Sequence, residues 1–166
     1  MIIREPQESD LTSLIDIYNQ AINEQKIAIT EPVTLDDSGI WFAGHAPDKY
    51  PVLIAEKQGE LLGFLSISAY RPGRQALRHT AIVSYFVDKK HHHQGVASSL
   101  LEQALSLCPK LEIKNLMAIL LENNAPSVRL LKKFGFEKWA QLPRVAEFDG
   151  VDVDQVYFGI RITEGK

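Results

Sequence analysis

The stretch Ser84-Tyr85-Phe86-Val87-Asp88-Lys89-Lys90-His91-His92-His93-Gln94-Gly95-Val96-Ala97-Ser98 carries the strongest chemical signal in the chain. A hydrophobic strand runs into a polar, basic loop, and Gly95 and Ala97 then open an amphipathic helix. The free N–H groups at a helix N-terminus, together with the helix dipole, form an anion site. Gly95 lets the backbone approach a phosphate closely, and Ala97 keeps the next approach small. Lys89, Lys90 and any protonated histidine add positive potential at the rim. The spacing is neither the Gly-x-x-x-x-Gly-Lys-Ser/Thr phosphate loop nor the three-glycine dinucleotide fingerprint. Taken alone, a strand, basic loop, glycine and helix would also serve as a purely structural turn.

The run His91-His92-His93 invites a metal reading. Consecutive histidines on a turning loop cannot all face one ion, and the sequence offers no partner cluster of Cys, His or carboxylate. A mildly basic phosphate rim is the better reading, and no metal is expected. The single cysteine, Cys108, cannot form an internal disulfide, which favours a reducing, cytoplasmic setting. The start Met1-Ile2-Ile3-Arg4-Glu5-Pro6 lacks the basic and apolar regions of a signal peptide, and no apolar run reaches the length of a membrane span. The net charge of -3 gives no whole-molecule attraction for nucleic acid or an anionic membrane, so neither is expected as a partner.

The elements that must position this loop follow from periodicity. A length of 166 residues fits one domain, 1–166. Met1 to Arg4 reads as a short strand. Ser9 is the expected N-cap of a helix with Leu11, Leu14, Ile15, Tyr18, Ala21 and Ile22 on one face. A shorter helix is expected from near Thr34, turning Trp41 and Phe42 inward. Val52–Glu56 and Leu61–Tyr70 read as a hairpin around Gln58-Gly59, and His79–Val87 as a central strand. A helix follows from Gly95 to Leu107, then a buried strand, Leu116–Leu121. Pro126 opens a further helix that ends before Gly135. Phe136–Gln141 and Val151–Ile162 close the order as two strands. This is a mixed α/β (α+β) domain with antiparallel hairpins at both ends and a β-α-β crossover between them.

The loop resembles the acetyl-CoA motif of the GNAT N-acetyltransferases, Gln/Arg-x-x-Gly-x-Gly/Ala, with His92, Gly95 and Ala97 in the first, fourth and sixth places. His92 departs from the usual Gln/Arg, which preserves the backbone role and gives up a strong side-chain charge. Downstream, Asn124-Ala125-Pro126-Ser127 through Phe134-Gly135-Phe136 resembles the later motif of the same family. Ile17-Tyr18-Asn19-Gln20-Ala21, Glu31-Pro32-Val33, Tyr50-Pro51-Val52, Arg71-Pro72, Arg78-His79-Thr80 and Leu142-Pro143 together resemble the phosphinothricin acetyltransferase branch across most of the chain.

The resemblance implies a GNAT fold, with a mostly antiparallel central sheet splayed in the middle and flanked by helices. It implies acetyl-CoA as co-substrate, held by Phe86, Val87, His92, His93, Gln94, Gly95, Val96, Ala97, Ser98, Asn124 and Ser127. It implies direct attack of a small-molecule amine on the thioester, with the Val87 N–H as oxyanion donor. It further implies a homodimer, with the acceptor site near the interface and Val151–Ile162 contributing. The branch usually places a glutamate base where this chain has Ile82, and a Tyr or His acid where it has Leu131. Loss of a general base costs about 10²–10⁴-fold unless it is replaced.

Three readings follow from that loss. His79 or Glu31 serves through water; the acceptor is an amine acidic enough to need no base; or the domain binds acyl-CoA with little turnover. For Arg71 and Arg78 the choice is between solvated hairpin arginines and a grip on an acceptor carboxylate. For Glu31 it is between a turn carboxylate and a contact to the acceptor. An amino acid or amino-acid analogue is the expected acceptor. A protein N-terminus or a polyamine is the enzymatic rival, and an acyl-CoA-binding module the non-enzymatic one.

Overall fold

The computed structural model describes residues 1–37 and 45–163. Seven strands form one sheet: β1 (Ile2–Arg4), β2 (Val52–Lys57), β3 (Glu60–Ala69), β4 (Thr80–Val87), β5 (Asn115–Leu121), β6 (Glu137–Phe148) and β7 (Val151–Arg161). Their spatial order is β1-β2-β3-β4-β5-β7-β6. All neighbours run antiparallel except β4 and β5, which are parallel and are joined by a crossover helix. Among the described residues, three helices flank the sheet: α1 (Leu11–Asn23), α2 (Val96–Leu107) and α3 (Ala125–Lys133).

Alternation along the strands sends side chains to two faces. On one face, Leu100, Leu101 and Ala104 of α2 and Leu131 of α3 pack against Leu65, Ile67, Val83 and Leu116 of the sheet. Cys108 is buried in the same cluster. Its thiol is pushed up to about 11 by burial, which makes it a packing residue and a poor nucleophile. On the other face, Leu14 and Ile17 of α1 cover Val52, Ile54 and Phe64. Each fully buried Leu or Ile contributes about 1.5–3 kcal/mol.

The first helix starts differently from the expectation. Ser9 lies inside a 3-10 turn over Glu8–Asp10, and α1 begins at Leu11. The turn is held by Gln7 N–H donating to Asp10 Oδ2 at 2.7 Å. Asp10 also accepts from Arg4 at 2.8 and 2.9 Å, and Arg4 reaches Glu56 as well. The Arg4 hydrogen bond holds the Asp10 carboxyl below its ordinary value. A carboxylate bound to a guanidinium gains more there than a hydroxyl cap at Ser9 would. Ile17 is buried on α1 as well, an extra position of the apolar face.

Residues 35–37 form a helical turn after Thr34, while Trp41 and Phe42 lie outside the described residues. The strand expected over Phe136–Gln141 runs on to Phe148. It carries Pro143 by means of a register shift between Leu142 and Ala146, where a missing N–H costs no ladder bond.

Candidate active site

β4 and β5 pair over only three residues, Thr80, Ala81 and Ile82 with Asn115, Leu116 and Met117. Beyond Ile82 both strands continue, to Val87 and Leu121, without pairing with each other. Asp88 N–H bonds to the Leu62 carbonyl and Tyr70 N–H to the Thr80 carbonyl, so even-numbered residues of β4 turn their backbone groups to β3. By alternation, Val83, Tyr85 and Val87 turn theirs toward β5, where no strand receives them. Backbone polar groups left open in this way take an extended ligand as a strand would.

The opening is a cleft of about 740 Å³. Its walls are Val83–Val87 of β4, Ala118–Leu121 of β5, the N-terminal turns of α2 and α3, and the loop Lys26–Ile29 after α1. Phe86, Val87, His92, His93, Gly95, Val96, Ala97, Ser98, Asn124 and Ser127, all singled out from the sequence, line it together. Gln94 does not line it; its side chain turns back to the Lys90 carbonyl at 3.3 Å.

The anion end is built locally. Gly95 caps α2 with φ 78°, a conformation that costs other L residues about 1–2 kcal/mol, and a Cβ there would meet nothing within 4 Å. The first turn of the helix, Val96 to Ser98, lines the cleft, and its N–H groups lie outside the intrahelical ladder. His92 Nε2 donates to the Val87 carbonyl at 3.1 Å, tying the loop to the end of β4. His91 Nε2 lies 3.0 Å from Glu60 Oε1, so neighbouring histidines are turned to different partners. No group of three or more His, Cys, Asp or Glu side chains is gathered as for a metal among the described residues. At α3, Asn124 Oδ1 caps the helix by accepting from Ser127 N–H at 3.4 Å.

A second cavity, of about 320 Å³, lies on the α1 side of the sheet. It shares Tyr18, Ile29, Ser84 and Phe86 with the cleft, so the two volumes meet at the splay. Tyr18 packs edge-on to Phe86 at 4.9 Å, and burial raises its phenol. Asn19 holds the overlying loop by exchanging bonds with the Val33 backbone at 2.8 and 3.1 Å. Tyr18, Phe64 and Phe86 sit on apolar runs that read as ordinary core, and only the pairing of β3 with β4 brings Ser66, Ser68 and Ser84 to one cavity.

The remaining expected site residues are elsewhere. His79 precedes the first residue of β4, at the end opposite Val87, about 25 Å away at a strand rise of ~3.3 Å per residue. Its Nδ1 donates to the Glu112 carbonyl at 2.7 Å. His79 lines neither cavity. Arg71 and Arg78 are exposed on the β3–β4 connection, and neither lines either cavity. Arg78 bonds to the Gln75 carbonyl at 3.0 Å. Glu31 is exposed and also outside both linings. Ile82 and fully buried Leu131 offer aliphatic side chains where a base and an acid were expected. One phenol at the cleft was missed: the Tyr85 hydroxyl is buried with no hydrogen-bond partner among the described residues. Burial pushes it up to about 12; the Ser127 side chain pulls weakly the other way from outside hydrogen-bonding geometry.

The sequence model of the Acetyltransferase (GNAT) family matches residues 12–136. The chain belongs to the GNAT family. This GNAT protein is 37% identical over 161 residues to YwnH of Bacillus subtilis, a phosphinothricin acetyltransferase-like protein, covering 96% of this chain and 98% of YwnH. It is 29% identical over 162 residues to an L-methionine sulfoximine/L-methionine sulfone acetyltransferase of Pseudomonas aeruginosa, covering 96% and 94% of the two chains. Among solved structures, yncA from Salmonella typhimurium with its cofactor acetyl-CoA superposes with a TM-score of 0.93 at 26% identity, covering 100% of this chain and 96% of that one. The GNAT fold expected from the sequence, a mixed sheet flanked by helices, is the fold found. Among the described residues no helix is long and apolar enough to cross a membrane.

Proposed function

We propose that this GNAT protein transfers an acetyl group from acetyl-CoA to the amine of a small molecule, an amino acid or close analogue. The observation that carries the reading is the junction of the two cavities at Tyr18, Ile29, Ser84 and Phe86. A long cleft ends at the N-terminus of α2, and a smaller pocket of about 320 Å³ adjoins it at the splay. That arrangement brings a thioester and a compact amine together, and pre-paid positioning supplies much of the acceleration for a reaction of two bound substrates. The acetyltransferase relatives support the same class of acceptor.

In the proposed reaction, the CoA pyrophosphate rests on the N-terminus of α2 at Gly95–Ser98, beside His92 and His93. Pantetheine runs along β4 past Phe86 and Val87, with Asn124 and Ser127 on the facing helix. A free N–H on the open edge of β4, Val87 or its neighbour Tyr85, receives the developing oxyanion. The amine lone pair attacks the carbonyl carbon, the C–S bond breaks with its electrons on sulfur, and the ammonium proton leaves to solvent. No carboxylate or imidazole stands at Ile82 to take that proton, so the acceptor must arrive already deprotonated. The protein acts in the cytoplasm as a homodimer, with β7 near the subunit contact.

Thiol release from acetyl-CoA across a panel of amino acids, their sulfone and phosphinate analogues, polyamines and short peptides tests the reading. Turnover confined to small amino-acid-like amines, with a rate following the amine's own ionisation, is expected. Acetyl-CoA binding with no turnover on any amine would leave the acyl-CoA-binding module in its place.

A further inference from the structure

Among the described residues, the Tyr85 hydroxyl is the one buried side-chain polar atom without a hydrogen-bond partner. Tyr85 lies in the wall of the cleft, and Ser127 at the start of α3 faces it from outside hydrogen-bonding geometry. A buried hydroxyl left unpaired costs free energy, which a ligand in the cleft recovers by pairing with it. Position along β4 says which part of the ligand that is. The α2 end of the cleft is at Val87, whose carbonyl is bonded to His92, and the other end closes where Ile82 pairs with Met117. Tyr85 stands three positions beyond Ile82, about 10 Å at a strand rise of ~3.3 Å per residue. It lies between Ser84 and Phe86, the two β4 residues at which the smaller cavity joins the cleft. Alternation sets the faces apart: Phe86 packs with α1, while Val83, Tyr85 and Val87 pack with the cluster under α2 and α3. An amine entering from the smaller cavity occupies the α1 side of the thioester. It leaves the α3 side, where the phenol stands, to the sulfur.

Resting on the proposed acetyl transfer, we infer that the Tyr85 hydroxyl donates a hydrogen bond to the thioester sulfur as the C–S bond breaks. The N–C bond forms from the amine lone pair, the C–S electron pair passes to sulfur, and the ammonium proton leaves to solvent. The O–H proton stays on Tyr85. Burial holds that phenol at about 12, well above an ordinary thiol at about 8.5, so it shares its proton without surrendering it. The CoA thiolate takes its own proton from water on release. A thioester sulfur is a poor acceptor and a thiolate a good one. The bond therefore strengthens toward the transition state and acts on kcat rather than on binding.

Tyr85→Phe separates the hydroxyl from the ring. With CoA bound, the thiol is titrated through the ultraviolet absorbance of its thiolate, read as a difference from the same protein holding S-methyl-CoA so that the tyrosines cancel. The midpoint is expected about one unit or more higher in Tyr85→Phe than in wild type, because the hydrogen bond favours the charged sulfur. The other titratable groups on the cleft walls, Tyr18, Glu24, Lys26, His91, His92 and His93, are common to both proteins. In acetyl transfer at saturating acceptor, kcat should fall by roughly 10–100-fold, the scale of a hydrogen bond to a charged group, while KM for acetyl-CoA stays within about twofold. Equal thiol midpoints in the two proteins overturn the inference. An unchanged kcat overturns it as well, whether or not KM moves. If no amine is turned over by the wild type, the proposed function falls separately, and the thiol titration alone decides the role of Tyr85.

Discussion

Gly63 of β3 lies against the backbone of Phe86 so closely that a Cβ on it would stand 2.6 Å from the Phe86 carbonyl oxygen and 3.1 Å from Val87 Cα. No rotamer relieves a clash between a Cβ and the main chain, so the substitution Gly63→Ala must push β4 outward. The displaced residues are those whose free N–H groups face the cleft. Gly63→Ala is expected to cost about 1–3 kcal/mol of stability and to lower kcat/KM for acetyl-CoA by roughly 10²-fold, the scale of an ångström of misplacement. Denaturant midpoints and initial rates measured on the same preparation check both. A variant with lower stability but unchanged kcat/KM would show that the open edge of β4 does not hold the cofactor.

Gly95 makes the opposite case. A Cβ there meets no protein atom within 4 Å. Gly95→Ala should therefore lose only the backbone cost of a positive φ, about 1 kcal/mol. The methyl group would occupy space at the helix start that the pyrophosphate needs. The expected result is a rise of at least tenfold in KM for acetyl-CoA, or in the Kd for CoA by calorimetry, out of proportion to the small drop in thermal midpoint. His92→Ala should act more mildly, by releasing the loop from the Val87 carbonyl, and His92→Gln should restore most of the loss.

Tyr85 gives a prediction in pH. Its phenol titrates at about 12 in the folded chain, against an ordinary value of 10.0, because burial opposes the phenolate. Between those values the folded chain keeps a proton that the unfolded chain has released. The Tyr85 contribution is thus fully present below pH 10 and is lost as pH rises toward 12, an alkaline destabilisation of about 2–3 kcal/mol. Tyr85→Phe should remove that slope. It should also raise stability at neutral pH by up to about 1 kcal/mol, because the orphaned hydroxyl goes with it. Urea midpoints at pH 8, 10 and 11 are sufficient; an unchanged alkaline slope in the variant would assign the effect to another group.

The loop and the element order were legible because each has a local signature. Strand, basic loop, Gly95 and amphipathic helix are contiguous, and Asn124 with Pro126 marks the start of α3 within three residues. What escaped was long-range. Ser66 and Ser84 lie 18 positions apart and become neighbours only through the register of β3 on β4, which no single segment encodes. His79 was misjudged for a related reason. A strand of eight residues separates its two ends widely, so proximity in sequence to Thr80 and Ile82 did not put its ring near the thioester. Arg71 and Arg78 share that distant end. Ser9 lost its cap to Asp10 because Arg4, on another element, stabilises the carboxylate there.

The absent base gives the last prediction. Ile82 pairs in register with Ser68 and precedes Ser84 by two on the same face of β4, so a longer acidic side chain at this position would reach toward the pocket floor. In the wild type, the rate at saturating acetyl-CoA should follow the deprotonated fraction of the acceptor amine and keep rising until that amine is fully free. Ile82→Glu is expected to raise kcat/KM near pH 7 by about tenfold or more, at the low end of what general base catalysis supplies. The lower limb of its pH profile should move to that of a carboxylate rather than of the amine. Ile82→Gln, equal in size and unable to take a proton, should show neither change. An Ile82→Glu profile that still tracks the amine would mean that proton removal does not limit the reaction.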